Sequence, residues 1–245
     1  MTYGSPFIIR APGCQHPLKL RNRTSGNTFG ATYWTDGRRR AIKLPDEPWM
    51  RKSRKDDVLF WLDECETLGE FDSDSKEPVN REWKAARYAV DPSEEDYASA
   101  IAAGMGDTLV RERYLRHQLW WAFNDKIRHC LLRRKYAEED PGLIRPLLVK
   151  LHLRRSVHDE TAGTLESPLP PPHVENLNRL IAILTEEGES GCVMKADALR
   201  HLGRFDEALQ CLDADFPPEL LPYASKIRAL ASASNRLVAQ IDSVL

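Results

Sequence analysis

The spacing of apolar residues changes near residue 92, and this change constrains the fold more than any other feature of the chain. Before it, apolar residues come in short β-branched and aromatic runs broken by Gly, Pro and an Asp-Gly pair. After it, they recur every three to four positions. Phe7-Ile8-Ile9 reads as a short strand. Thr28–Trp34 and Arg38–Leu44 read as a hairpin with Thr35-Asp36-Gly37 at its tip, because Asp-Gly tolerates the positive φ of a tight turn. Val58–Trp61 is a third strand, and Pro45 and Pro48 keep the preceding connection out of a helix.

Ser93 reads as an N-cap with Asp96 three residues on, opening a helix through Tyr97, Ile101 and Ala102 that Gly104 and Gly106 end. Asp107 or Thr108 caps the next helix, whose apolar face is Leu109, Tyr114, Leu115, Leu119 and Ala122, broadened by Trp120 and Trp121. Leu143–Leu153 is a further amphipathic segment, interrupted by Pro146. Residues 154–172 lack periodicity and carry Pro168, Pro170, Pro171 and Pro172, which favour an extended spacer over a helix. Helical spacing then resumes over Leu177–Leu184, Val193–Leu202, Phe205–Leu212, Leu220–Leu230 and Leu237–Leu245, with turns short enough for antiparallel hairpins. The expected class is mainly α with a small N-terminal β part. The expected division is a β domain over 1–72, a helical domain over 73–153, a Pro-rich linker over 154–172 and helical hairpins over 173–245.

At 245 residues, with 42 % apolar and 29 % charged, the chain can bury a core without disulfides. The five cysteines, Cys14, Cys65, Cys130, Cys192 and Cys211, are scattered and odd in number, which is not a disulfide framework. No apolar run is long enough to span a bilayer and no secretory leader opens the chain, so a cytoplasmic address and no membrane partner are expected. The net charge of −2 hides an asymmetry: residues 1–55 hold twelve Lys or Arg against three acids, and residues 56–77 hold nine acids against Lys76 alone. The two blocks either neutralise each other or leave the basic one for a partner.

The stretch Ala198–Leu212, ALRHLGRFDEALQCL, resembles the turn of a tetratricopeptide repeat. Gly203, Phe205 and Ala208 match that pattern, with Ala196 at the small position of the first helix; the Trp and Tyr of the consensus are missing and one unit is clear. The first seventy residues resemble a rubredoxin-type zinc ribbon with a degenerate metal site. Its two Cys-x-x-Cys knuckles read here Ala11-Pro12-Gly13-Cys14 and Ser53-Arg54-Lys55-Asp56. Together with SGNTFGATYWTDG, LPDEPW, LWWAFND and LGRFDEAL, this resembles uncharacterised bacterial proteins with an intact ribbon and a helical, repeat-like tail. That resemblance implies no enzymatic activity. Three of its four ligand positions are Ala11, Ser53 and Asp56, so neither a metal nor another cofactor is expected.

No phosphate loop, GxGxxG, GxSxG or HExxH is present, and the seven histidines are dispersed. The residues therefore point to a non-enzymatic protein-interaction or scaffold module, with Arg200, Arg204, Lys226 and Arg228 as the candidate partner surface. The alternative is nucleic-acid binding through the basic block: Arg38, Arg39, Arg40, Arg51 and Lys52 for phosphates, Trp34 and Trp49 for stacking. A neutralising, immunity-type partner protein is a third reading that no residue selects.

Overall fold

The fold is known from a computed structural model that describes residues 1–72, 80–139, 169–184 and 188–241. A small β part is followed by a mostly helical region, as expected. Contacts divide the chain into two compact units: Met1–Thr32 with Arg39–Gly104, and Tyr33–Arg38 with Met105–Leu245. The Leu143–Leu153 segment and residues 154–168 of the expected linker lie outside the described residues.

The first unit holds a two-stranded antiparallel pair, β1 (Thr2–Tyr3) with β4 (Arg23–Ser25), and a four-stranded sheet. Strand β2 (Phe7–Arg10) sits between β3 (Leu18–Leu20) and β9 (Glu66–Glu70), antiparallel to both, and β10 (Arg87–Tyr88) adds to β3 in parallel. Both faces of β2 are covered. On one, Ile9 meets Ala11, Leu18 and Phe60 in a buried cluster. On the other, the fully buried Ile8 lies opposite Gly69, and Trp83 of the short helix α1 (Arg81–Ala85) closes over that glycine. Gly69 has φ +151°, and a Cβ there would stand 2.9 Å from the Trp83 ring, so both backbone and packing require glycine. Strand β9 comes from the acidic block, where charge had concealed a strand whose Glu66 and Glu70 face solvent.

A second hairpin pairs β7 (Met50–Ser53) with β8 (Val58–Trp61), Met50 opposite Trp61. Helix α2 (Glu94–Ala102) opens with the expected cap: Ser93 Oγ accepts from Asp96 N (3.2 Å) and Asp96 Oδ2 accepts from Ser93 N (2.9 Å). The Asp-Gly hairpin forms over shorter arms than expected. Its strands are β5 (Thr32–Tyr33) and β6 (Arg39–Arg40), and two backbone bonds, Trp34 N to Arg38 O and Gly37 N to Trp34 O, close its tip.

In the second unit, α3 (Leu109–Glu139) is capped by Thr108, whose Oγ1 accepts from Arg111 N at 3.2 Å. Pro171 and Pro172, read as part of the extended spacer, instead begin helix α4 (Pro171–Leu184). The first turn of a helix tolerates proline because its N–H groups have no intrahelical partner there. Helices α5 (Gly188–His201), α6 (Phe205–Cys211) and α7 (Leu221–Ser232) follow. Trp120 of α3, Leu177, Leu180 and Leu184 of α4, Leu199 of α5 and Ala208 of α6 share one buried cluster. Gly203, at φ +80°, ends α5 with the paired bonds Arg204 N to Leu199 O and Gly203 N to Arg200 O. Helix α7 ends by the same pattern with Ser234 in the left-handed position at φ 51°.

The helix expected over Leu237–Leu245 is absent from its described part. Residues 237–241 run extended, with Thr35 N donating to Ala239 O (2.9 Å) and Ile241 N donating to Tyr33 O (2.8 Å). Leu237, Val238 and Ile241 carry a spacing that serves either helix or strand in so short a segment, and pairing with the hairpin tip decides between them.

Candidate functional site

In the first unit the positions Ala11, Cys14, Ser53 and Asp56 lie in two neighbouring turns. Cys14 N donates to Ala11 O at 3.2 Å, with Gly13 left-handed between them. Ser53 is fully buried; its hydroxyl accepts from Asp56 N (3.3 Å) and donates to Asp56 Oδ2 (2.7 Å). The turns lie close enough that Ser53 and Asp56 both act on the Cys14 thiol, and the Gln15 backbone acts on the Asp56 carboxyl. Ser53 and Asp56 thus close their own turn by hydrogen bonds, and the Ala11 methyl joins the buried cluster.

Burial pushes the Cys14 thiol above its usual range. Burial, with Cys14 nearby, pushes Cys65 up to about 11, and Cys65 Sγ donates to Trp61 O at 3.3 Å. Such thiols stay protonated near neutrality and are poor nucleophiles. The hydrogen bond from Ser53 holds the Asp56 carboxyl below its ordinary value. Among the described residues, no group of three or more His, Cys, Asp or Glu side chains is placed to hold a metal ion.

The cations singled out for nucleic acid are largely engaged inside the fold. Arg39 pairs with Asp46, and Arg51 pairs with Asp91. Lys52 holds Asp57 and Asp96, each at 2.8 Å. Arg38, in the second unit, lies over the Trp121 ring at 4.8 Å. Arg40 is half-buried. Trp34 is buried against Ile127 and Val238, with the Arg128 guanidinium over its ring at 5.3 Å, so it offers no face to a base. Of the two expected stacking rings, Trp49 is the exposed one.

In the second unit, Arg200 is not on a partner surface; it is fully buried. Its guanidinium donates to Asp197 Oδ1 (2.6 and 2.9 Å), to the carbonyls of Asn235 (2.7 Å) and Leu237 (2.8 Å), and to Thr35 Oγ1 (3.3 Å). Asp197, also fully buried, lies 3.4 Å from His201 Nε2, and Trp120 Nε1 donates to His201 Nδ1 at 3.4 Å. A second buried group surrounds the Asp36 carboxylate, which accepts from Arg128, from Asn124 Nδ2 (2.7 Å) and from Arg38 N (3.2 Å). Arg128 also donates to Asp125 Oδ1 at 2.6 Å.

The other three candidates behave differently from Arg200. Arg204 is exposed and forms a two-bond pair with Glu207 (2.7 and 2.5 Å). Arg228 donates to Leu212 O, and Lys226 is half-buried. A groove of about 510 Å³ runs beside Arg204, between Phe205, Asp206, Glu207 and Leu209 on one side and Ala231, Ser232 and Ser234 on the other. Sequence reasoning missed Thr35, Asp36, Asn124, Arg128, Asp197 and His201. The available signal was charged residues at apolar helix positions: Asp197 and Arg200 fall among Val193, Ala196 and Leu199.

His117 stacks on Trp121 with ring centroids 5.7 Å apart, and its Nε2 is sealed without a hydrogen-bond partner. Burial, aided by Arg113, pulls its pKa down to about 4. The unfolded chain takes up this proton near pH 6.5, but the folded chain does so only near 4, so protonation favours unfolding across that window. Stability is therefore expected to fall as pH drops from 6.5 towards 4. His117→Phe should flatten that slope in urea unfolding series; an unchanged slope would place its origin elsewhere.

No protein-family model matches the chain, and no curated protein or solved structure matches it either.

Proposed function

We propose that this chain is a non-enzymatic protein-interaction module, and that its partner lies along the groove beside Arg204. The groove itself carries this reading. It is open, it borders the α5–α6 turn, and it pairs a half-buried aromatic, Phe205, with exposed charge at Arg204, Asp206 and Glu207. That mixture suits an extended peptide segment with charged side chains better than an apolar helix. The turn supports a tetratricopeptide-like reading: Gly203 supplies the left-handed cap, while Ala208 and Ala196 are both fully buried where two helices approach. In the first unit, the two turns at 11–14 and 53–56 support the reading of a ribbon that folds on hydrogen bonds and apolar packing.

Native pull-down of the tagged chain, with and without nuclease and at low and high salt, tests the proposal. A stoichiometric protein that survives nuclease is expected. The swap Arg204→Glu with Glu207→Arg preserves an ion pair while reversing the groove's local polarity, and should release that protein. Retention of the partner by the swapped chain would overturn the assignment to this groove. Nucleic acid that leaves with nuclease or salt would move the N-terminal basic block to first place.

A further inference from the structure

We propose that the first unit docks peripherally on an anionic lipid surface through the two loop tips that carry Phe29 and Ile42. These side chains are 84 % and 87 % exposed, more than any other large apolar residue among the described ones. Each sits in a closed turn. Ala31 N donates to Thr28 O (2.9 Å) around Phe29, with Gly30 left-handed at φ +73° and Asn27 Oδ1 accepting from Phe29 N (3.1 Å). Leu44 N donates to Ala41 O (3.1 Å) around Ile42, and Ala41 is buried beneath that turn.

The two turns are fixed side by side. Gly26 packs directly on the carbonyl of Lys43 and the side chain of Leu44, so any larger residue there would collide with backbone. Arg23 donates to Pro45 O (2.6 Å) and pairs with Glu47 (3.2 Å). Lys43 Nζ stands 5.9 Å from the Phe29 ring. The acids of this stretch are taken, Asp46 by Arg39 and Glu47 by Arg23. Among the described residues, no acid pairs with Arg40 or Lys43.

The pair of tips is therefore two highly exposed apolar side chains on turns held in place, with Lys43 near the Phe29 ring and Arg40 two positions before Ile42. Open space surrounds Gly30, and nothing lies within 4 Å of where its Cβ would be. A protein partner would need two matched pockets at this spacing. A bilayer interface accepts separate apolar tips without preformed pockets, and an anionic leaflet complements Arg40 and Lys43. No described helix is long and apolar enough to cross a membrane, and peripheral contact requires none.

Co-sedimentation of the full chain with vesicles tests this directly. Partitioning onto phosphatidylcholine vesicles mixed with phosphatidylglycerol should exceed that onto phosphatidylcholine alone by on the order of tenfold, and should weaken with added salt. Phe29→Ser with Ile42→Ser should lower binding by on the order of a hundredfold while leaving the thermal unfolding midpoint unchanged, because neither side chain packs in the core. Lys43→Glu should reduce the preference for anionic vesicles. Absence of binding to either vesicle, or binding that survives the double substitution, would overturn the proposal. A protein captured by the parent chain but lost in the double variant, without vesicle binding, would overturn it in favour of a protein partner.

Discussion

Arg200→Met is expected to lower the unfolding free energy by about 3–5 kcal/mol and the melting temperature by on the order of 10 °C. Arg200 and Asp197 are both fully buried, and the guanidinium also serves the Asn235 and Leu237 carbonyls and Thr35 Oγ1. Removing it strands the fully buried Asp197 charge and leaves two part-buried main-chain acceptors without their donor. The Coulombic pull of Arg200 and His201 outweighs burial and holds the Asp197 carboxyl down at about 2. A carboxyl depressed in the fold contributes stability above the ordinary carboxylate range and loses it as pH falls towards 2.

Asp197→Leu combined with Arg200→Met removes both charges and should recover part of the loss, because the apolar pair avoids the stranded carboxylate. Urea unfolding of the two single variants and the double variant measures the coupling. Additive losses would show that the ion pair is not the source of the effect.

Asp36→Ala is expected to have the second-largest effect, of similar order, about 3–5 kcal/mol. The Asp36 carboxylate is enclosed by Arg128, Asn124 Nδ2 and Arg38 N, and its backbone carbonyl accepts from Trp121 Nε1 at 2.8 Å. Truncation leaves Arg128, itself fully buried, with Asp125 as its remaining acid. Asp36→Asn keeps the shape and one acceptor, and should cost less than the truncation, about 1.5–3 kcal/mol, as expected for hydrogen bonds to a charged group. Arg128→Met combined with Asp36→Ala should cost less than the two single losses together. If Asp36→Ala unfolds at the same urea midpoint as the parent chain, the carboxylate contributes nothing to the second unit.

The two buried pairs also bear on what a charged residue in a sequence means. Arg200 and Lys226 look alike when read along the chain, each a cation in a helix of mixed composition. The usual inference that cations face solvent holds for most of them. It fails at Arg200 because Asp197 lies three positions earlier on the same helix face, and because the extended segment 235–239 brings two carbonyls that no helical partner satisfies. Nothing in local spacing announces that second condition.

Local chemistry was legible wherever the partner lies within a few residues. Ser93 and Asp96 specify a cap, and Asp36-Gly37 a turn. Thr108 specifies a helix start, and Gly203 a helix end. The short β-branched and aromatic runs Phe7–Ile9 and Val58–Trp61 specify strands. Each depends on backbone groups that the neighbouring side chains satisfy or release, so the sequence alone suffices. Only the tertiary structure decided the rest. It made a strand of the acidic segment Glu66–Glu70 by offering β2 as a partner, and it drew Leu237–Ile241 out of a helix by pairing it with Tyr33–Thr35. It withdrew Trp34 and Arg200 from the surface while leaving Phe29 and Ile42 in solvent. These outcomes rest on contacts between residues tens to hundreds of positions apart. Burial of a charge or exposure of a ring follows from what lies across the contact, which spacing along the chain does not encode.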